Sequence, residues 1–103
     1  MRINADDLAM TTNHLEILLT AGKLNAADTH AVFSAMLAGK LDPAVIAAYL
    51  TAWRVFGENA PLLTEGARAL RREAQSVNIP ANLRPLADNC GTGGDGSSSF
   101  NVS

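Results

Sequence analysis

Three features of the sequence point to an all-α fold, a small bundle of about four helices, followed by the opening of a chemically different second part. Four apolar segments each follow an asparagine or aspartate suited to cap a helix, and the first three are closed by a glycine: Asn13 to Gly22, Asn25 to Gly39, Asp42 to Gly57, and a fourth from Asn59. After Val77, the residues Asn78, Pro80, Asn82 and Pro85 forbid a continuing helix. Four of the eight glycines then crowd into positions 91 to 96. The organisation implied is a helical domain at 1–77, a hinge or linker at 78–85, and at 86–103 a first strand and glycine-rich loop of an incomplete domain.

In the first helix, Asn13 caps with Glu16 three residues on, a capping-box arrangement, and Leu15, Leu18 and Leu19 run to Gly22. The second opens at Asn25 with Asp28 in its first turn and carries Val32, Phe33, Met36 and Leu37 before Gly39 stops it. Asp42 followed by Pro43 is an N-cap and N1 pairing, since proline has no N–H to lose there; this third helix runs to Phe56. From Ala44 to Trp53 it is apolar nearly all round, which predicts burial on several faces, by a face-to-face dimer or as the central helix of a monomeric bundle. The fourth helix tolerates Pro61 in its first turn and places Leu62, Leu63, Ala67, Leu70 and Ala74 in a stripe, with Arg68, Arg71 and Arg72 on another face. Leu86 to Cys90 then reads as a short strand whose pairing partners must come from a continuation of the protein.

Composition bounds the function. The chain has 103 residues, of which 48% are hydrophobic and 17% charged, enough apolar material for a core and too little charge for a disordered tail. Eight basic residues against ten acidic ones give a net charge of −2 and no broad positive field for nucleic acid. The third helix is too short, and Arg54 too polar, for a membrane span. With one cysteine, Cys90, and no apolar leader after Met1, a reducing cytoplasm is the expectation.

The chemistry concentrates in Gly91-Thr92-Gly93-Gly94-Asp95-Gly96-Ser97-Ser98-Ser99-Phe100-Asn101-Val102-Ser103. Glycines at this density permit positive φ angles and turn backbone N–H groups inward, the construction of an anion nest. A solvent-facing Gly-Ser linker is the competing reading. Gly91-x-Gly93-x-x-Gly96 also matches the spacing of a dinucleotide fingerprint, but only seven residues follow Gly96, with no room for its crossover helix and ribose-binding acid. Asp95 is informative because a carboxylate in a phosphate cradle repels the ligand unless a cation or a ligand hydroxyl separates the charges. A ribose bearing pyrophosphate, with Mg²⁺, would supply all three groups.

The segment Asp88 to Ser103 resembles the signature loop of the anthranilate phosphoribosyltransferase family. Met36-Leu37-Ala38-Gly39, Ile46-Ala47-Ala48-Tyr49-Leu50 and Gly66-Ala67-Arg68-Ala69-Leu70-Arg71 are similar to that family's small helical domain, so the resemblance covers residues 13 to 103. It implies a homodimeric enzyme of tryptophan biosynthesis that joins anthranilate to phosphoribosyl pyrophosphate and releases pyrophosphate with Mg²⁺. It also makes residues 86–103 the first strand and phosphate-binding loop of a truncated α/β domain. By the same resemblance Gly91 lies where the substrates meet, Gly94 and Asp95 contact phosphoribosyl pyrophosphate, and Ser99 replaces a threonine with its hydroxyl retained. Asn101, Val102 and Ser103 bind the pyrophosphate end, the Ser103 hydroxyl also ligating Mg²⁺. The family's later Lys-His-Gly-Asn segment and Asp-Glu pair have no counterpart here, which implies that these residues alone are inactive.

The remaining polar residues read as structural. His14 and His30 fall on helix flanks without metal-ligand spacing, Arg68, Arg71 and Arg72 form a solvated face with Glu65 and Glu73, and Cys90 is a small buried filler. The rival functions are a pyrimidine-nucleoside phosphorylase relative, whose loop places its acidic residue differently, a non-catalytic nucleic-acid-binding relative, and a helical dimerisation module.

Overall fold

The computed structural model describes residues 5–88, 90–94 and 96–97. Its architecture is four α-helices in order, α1 (Ala5–Ala21), α2 (Ala26–Leu37), α3 (Pro43–Phe56) and α4 (Ala60–Glu73), then a single 3₁₀ turn at Ala81–Leu83. None of the described helices is long and apolar enough to cross a membrane.

Local chemistry sets most boundaries. The Asn25 side chain accepts from the Asp28 N–H at 2.7 Å, that of Asp42 from the Ala44 N–H at 2.9 Å, and that of Asn59 from the Leu62 N–H at 2.9 Å. At the end of α2, the Gly39 N–H donates to the Met36 carbonyl and the Lys40 N–H to the Ala35 carbonyl. Gly39 takes a φ of +73°, the paired bonds of a Schellman stop. Gly22, with φ +76°, returns its N–H to the Leu18 carbonyl at 2.8 Å and ends α1.

The start of α1 differs from the expectation. The helix begins at Ala5, so Asn13 lies in its interior and caps nothing. Ala5, Leu8, Ala9 and Met10 are strong helix formers. Thr11 turns its hydroxyl onto the Leu8 carbonyl at 3.2 Å, which lets the polar Thr11-Thr12-Asn13 run stay helical.

The core gathers Leu18, Leu24, Val32, Leu41, Tyr49, Trp53 and Leu62 from all four helices and their connections. Phe33 of α2 stacks on Trp53 of α3 with ring centroids 5.1 Å apart and planes 9° from parallel, and Tyr49 tilts against the same indole at 5.5 Å. The buried Tyr49 hydroxyl donates to the Thr11 carbonyl, tying α3 to α1. Within one chain α3 is not the central helix of the bundle but is buried on one side: Tyr49, Ala52 and Trp53 face inward, while Leu50, Val55 and Phe56 remain largely exposed.

On α4 the buried face is also not the predicted one. Of the expected stripe Leu62 is buried, together with Glu65, Gly66 and Ala69, whereas Leu63, Ala67, Leu70 and Ala74 are exposed. Gly66 decides the rotation. A Cβ there would stand 3.0 Å from Phe33 Cζ, so the missing side chain is what lets α4 approach α2 this closely.

Beyond α4 the chain is extended from Ala74, and Val77, Leu83 and Leu86 are exposed. Leu86, Ala87, Asp88 and Cys90 of the expected strand adopt no regular structure, and the described residues contain no strand. A strand needs a neighbour for its N–H and C=O groups, and no described segment lies alongside to supply one.

Candidate functional site

Of the residues the resemblance assigns to substrate, Gly91 and Gly94 are described and both are exposed. Asp95, Ser99, Asn101, Val102 and Ser103 lie outside the described residues. The loop's entry is shaped by Asp88, whose carboxylate accepts from the Cys90 N–H at 2.8 Å. That bond, helped by the Cys90 thiol, holds the Asp88 carboxyl below its ordinary range. The thiol is driven the other way, raised by its hydrogen bond to Asp88 and by the nearby negative charge. Cys90 is therefore an exposed, protonated thiol, not the buried filler expected, and it lacks the thiolate character of a nucleophile.

Within the loop, Gly93 and Gly96 occupy left-handed conformations, at φ +75° and +68°. A Cβ at either would meet no atom within 4 Å, so glycine is required there by backbone geometry and not by crowding. The Thr92 hydroxyl accepts from the Gly94 N–H at 3.2 Å, closing a small turn. The described part is thus an open turn with left-handed glycines, in which the Gly94 amide is already occupied by Thr92. An anion entering here would replace that hydroxyl as the acceptor. No three His, Cys, Asp or Glu side chains gather as a metal site among the described residues.

Two histidine contacts were invisible in sequence because they join different helices. His14 of α1 is mostly buried and places Nε2 3.3 Å from the Asp28 carboxylate, with Nδ1 buried and lacking a hydrogen-bond partner. His30 of α2 places Nδ1 3.3 Å from Glu65, and its Nε2 is 3.4 Å from the Ser34 hydroxyl. Glu65 is buried instead of solvated, and its second oxygen accepts from Arg68 at 3.0 Å. Arg72 donates to Ser34 at 3.2 Å, completing a polar seam between α2 and α4. On the opposite side, Leu19 of α1 and Ala48, Thr51, Val55 and Phe56 of α3 line an apolar groove.

Residues 12–74 match the glycosyl transferase family, helical bundle domain. Among curated proteins, the chain is 40% identical over 91 residues to an anthranilate phosphoribosyltransferase of Lactococcus lactis subsp. cremoris, covering 88% of this chain and 27% of the relative. It is 42% identical over 92 residues to that of Solibacter usitatus, covering 87% and 26%, and 38% identical over 94 residues to that of Brevibacillus brevis, covering 91% and 27%. The chain spans about a quarter of the length of these relatives. A 94-residue stretch of a 103-residue chain must include residues 10–94, so the likeness passes beyond α4 into the glycine-rich turn. No solved structure matches the chain. The family match covers the whole of α2, α3 and α4 and most of α1, the same helices whose caps and core are described above, and the chain accordingly belongs to the glycosyl transferase family through its helical bundle domain.

Proposed function

We propose that this chain is the N-terminal portion of a cytoplasmic phosphoribosyltransferase of tryptophan biosynthesis, which transfers the phosphoribosyl group of phosphoribosyl pyrophosphate to anthranilate. The observation that carries the reading is the identity to relatives of that name, which continues from the bundle into Gly91 to Gly94. In the reaction the anthranilate amine forms a bond to C1′ of the ribose, the C1′ to pyrophosphate oxygen bond breaks, and the amine gives up a proton. The carbon losing pyrophosphate becomes cation-like, so the protein's task is to hold the leaving group and to position the amine.

In this proposal Gly91 lies between the two substrates, and Gly94 and Asp95 contact the phosphoribosyl pyrophosphate. Ser99 keeps a hydroxyl contact with the substrate, and Asn101, Val102 and Ser103 hold the pyrophosphate end by amide, backbone and hydroxyl groups. The left-handed φ at Gly93 and Gly96 supports an open cradle, since it turns successive amides without placing a side chain over them. A serine hydroxyl beside pyrophosphate oxygens is a hard donor set that suits Mg²⁺, with Ser103 as the ligand from this chain. When bound, the ion neutralises charge on the departing pyrophosphate.

The partner proposed for the helical domain is a second copy, making a homodimer. The groove between α1 and α3 supports this, because exposed Leu19, Val55 and Phe56 give a continuous apolar face on the helix whose sequence is apolar nearly all round.

The test is loss of anthranilate fluorescence on adding phosphoribosyl pyrophosphate and Mg²⁺ to the full-length protein. Conversion abolished by a chelator is the expected result. No conversion by folded protein would overturn the reading. Residues 1–103 expressed alone are expected to give no turnover, since they supply one wall of the site.

A further inference from the structure

We draw no further inference here: the strongest candidate, the exposed apolar stripe that Leu63, Ala67 and Leu70 make along the outer face of α4, carries none because nothing in the structure shows what covers it.

Discussion

His30 of α2 and Glu65 of α4 face each other with Nδ1 3.3 Å from Oε2, and Glu65 is one of the few charged side chains drawn into the bundle. Its other oxygen is held by Arg68 at 3.0 Å. Because Arg68 is 69% exposed and Glu65 only 11%, the two partners contribute unequally. Glu65→Ala should lower the unfolding free energy by about 1–2 kcal/mol, by losing charge-assisted bonds and opening a small void. Arg68→Ala should cost about 0.5 kcal/mol, since exposed ion pairs are screened by water. Urea unfolding of the two variants checks the order, and equal losses would place Glu65 in a more solvated setting than described.

Gly66 yields a prediction in which two effects oppose. Alanine at a helix interior is favoured over glycine by about 1 kcal/mol, but the new methyl would sit 3.0 Å from Phe33 Cζ and 3.3 Å from Cε2. Phe33 is stacked on Trp53 with ring centroids 5.1 Å apart, which restricts how far the ring can shift away from a new methyl. Overpacking therefore wins, and Gly66→Ala should destabilise by about 1 kcal/mol net. In a Phe33→Leu background the same substitution should be neutral or stabilising. A double-mutant cycle by urea unfolding measures this, and strict additivity would show that the ring does not limit the approach of α4.

Burial pushes the Tyr49 phenol from its ordinary 10 up to about 12, the Leu15 backbone pulling weakly in the opposite direction. The folded state thus holds a proton that the unfolded chain releases first. The resulting stability is complete below pH 10, falls as the unfolded phenol ionises, and is gone once pH passes about 12. Tyr49→Phe should abolish this part of the alkaline loss while costing about 1 kcal/mol at neutral pH through the missing bond to the Thr11 carbonyl. The chain contains a single tyrosine, so phenolate absorbance reports the group directly. Ionisation at pH 10 in the folded protein would contradict its burial.

Helix caps are legible in the sequence, whereas the packing of one helix on another is not. Asn25, Asp42 and Asn59, and the glycines at 22, 39 and 57, are legible because a cap is satisfied by N–H groups two to four residues away. Asn13 misleads for the converse reason: a local capping pattern is overridden when Thr11 bonds back to Leu8 and the helix extends to Ala5. The facing of α4 is not local at all. Leu63 and Leu70 outweigh Gly66 in any hydrophobic count, yet Gly66 is what Phe33 tolerates, and a buried Glu65 requires His30 from another helix. Leu86, Ala87, Asp88 and Cys90 have no neighbouring strand among the described residues, and the pairing that a strand there needs is with a continuation of the chain. The candidate loop was legible as a glycine cluster, but the turn that Thr92 closes on Gly94 and the pairing of Asp88 with Cys90 are three-dimensional details that spacing does not encode.

The proposed homodimer has a test that leaves the fold intact. Val55 is 74% exposed at the rim of the α1–α3 groove, so Val55→Glu removes little from the core of one chain. In a dimer built on this groove it would bury an unpaired carboxylate at the interface, which weakens association by several kcal/mol. Sedimentation of the full-length protein should then show dimer for the parent and monomer for Val55→Glu at micromolar concentration, with unchanged helical circular dichroism. A variant that remains dimeric would move the interface elsewhere.

The glycine-rich turn separates binding from folding most clearly at Gly93. Its φ of +75° is costly for a residue with a Cβ, although nothing lies within 4 Å to collide with one. The cost of Gly93→Ala therefore falls on the loop's conformation, about 1–2 kcal/mol, and not on packing. Since the described loop residues 91–94, 96 and 97 are exposed and none joins the helical core, thermal unfolding of the bundle should be unchanged. In the full-length protein the same strain opposes the cradle proposed for pyrophosphate, so KM for phosphoribosyl pyrophosphate should rise about tenfold. KM for anthranilate should move less, because the proposal places that substrate nearer Gly91. Calorimetry of unfolding and steady-state kinetics on one preparation decide the matter. A lowered melting temperature would tie the loop to the bundle, and an unaltered KM would remove Gly93 from the cradle.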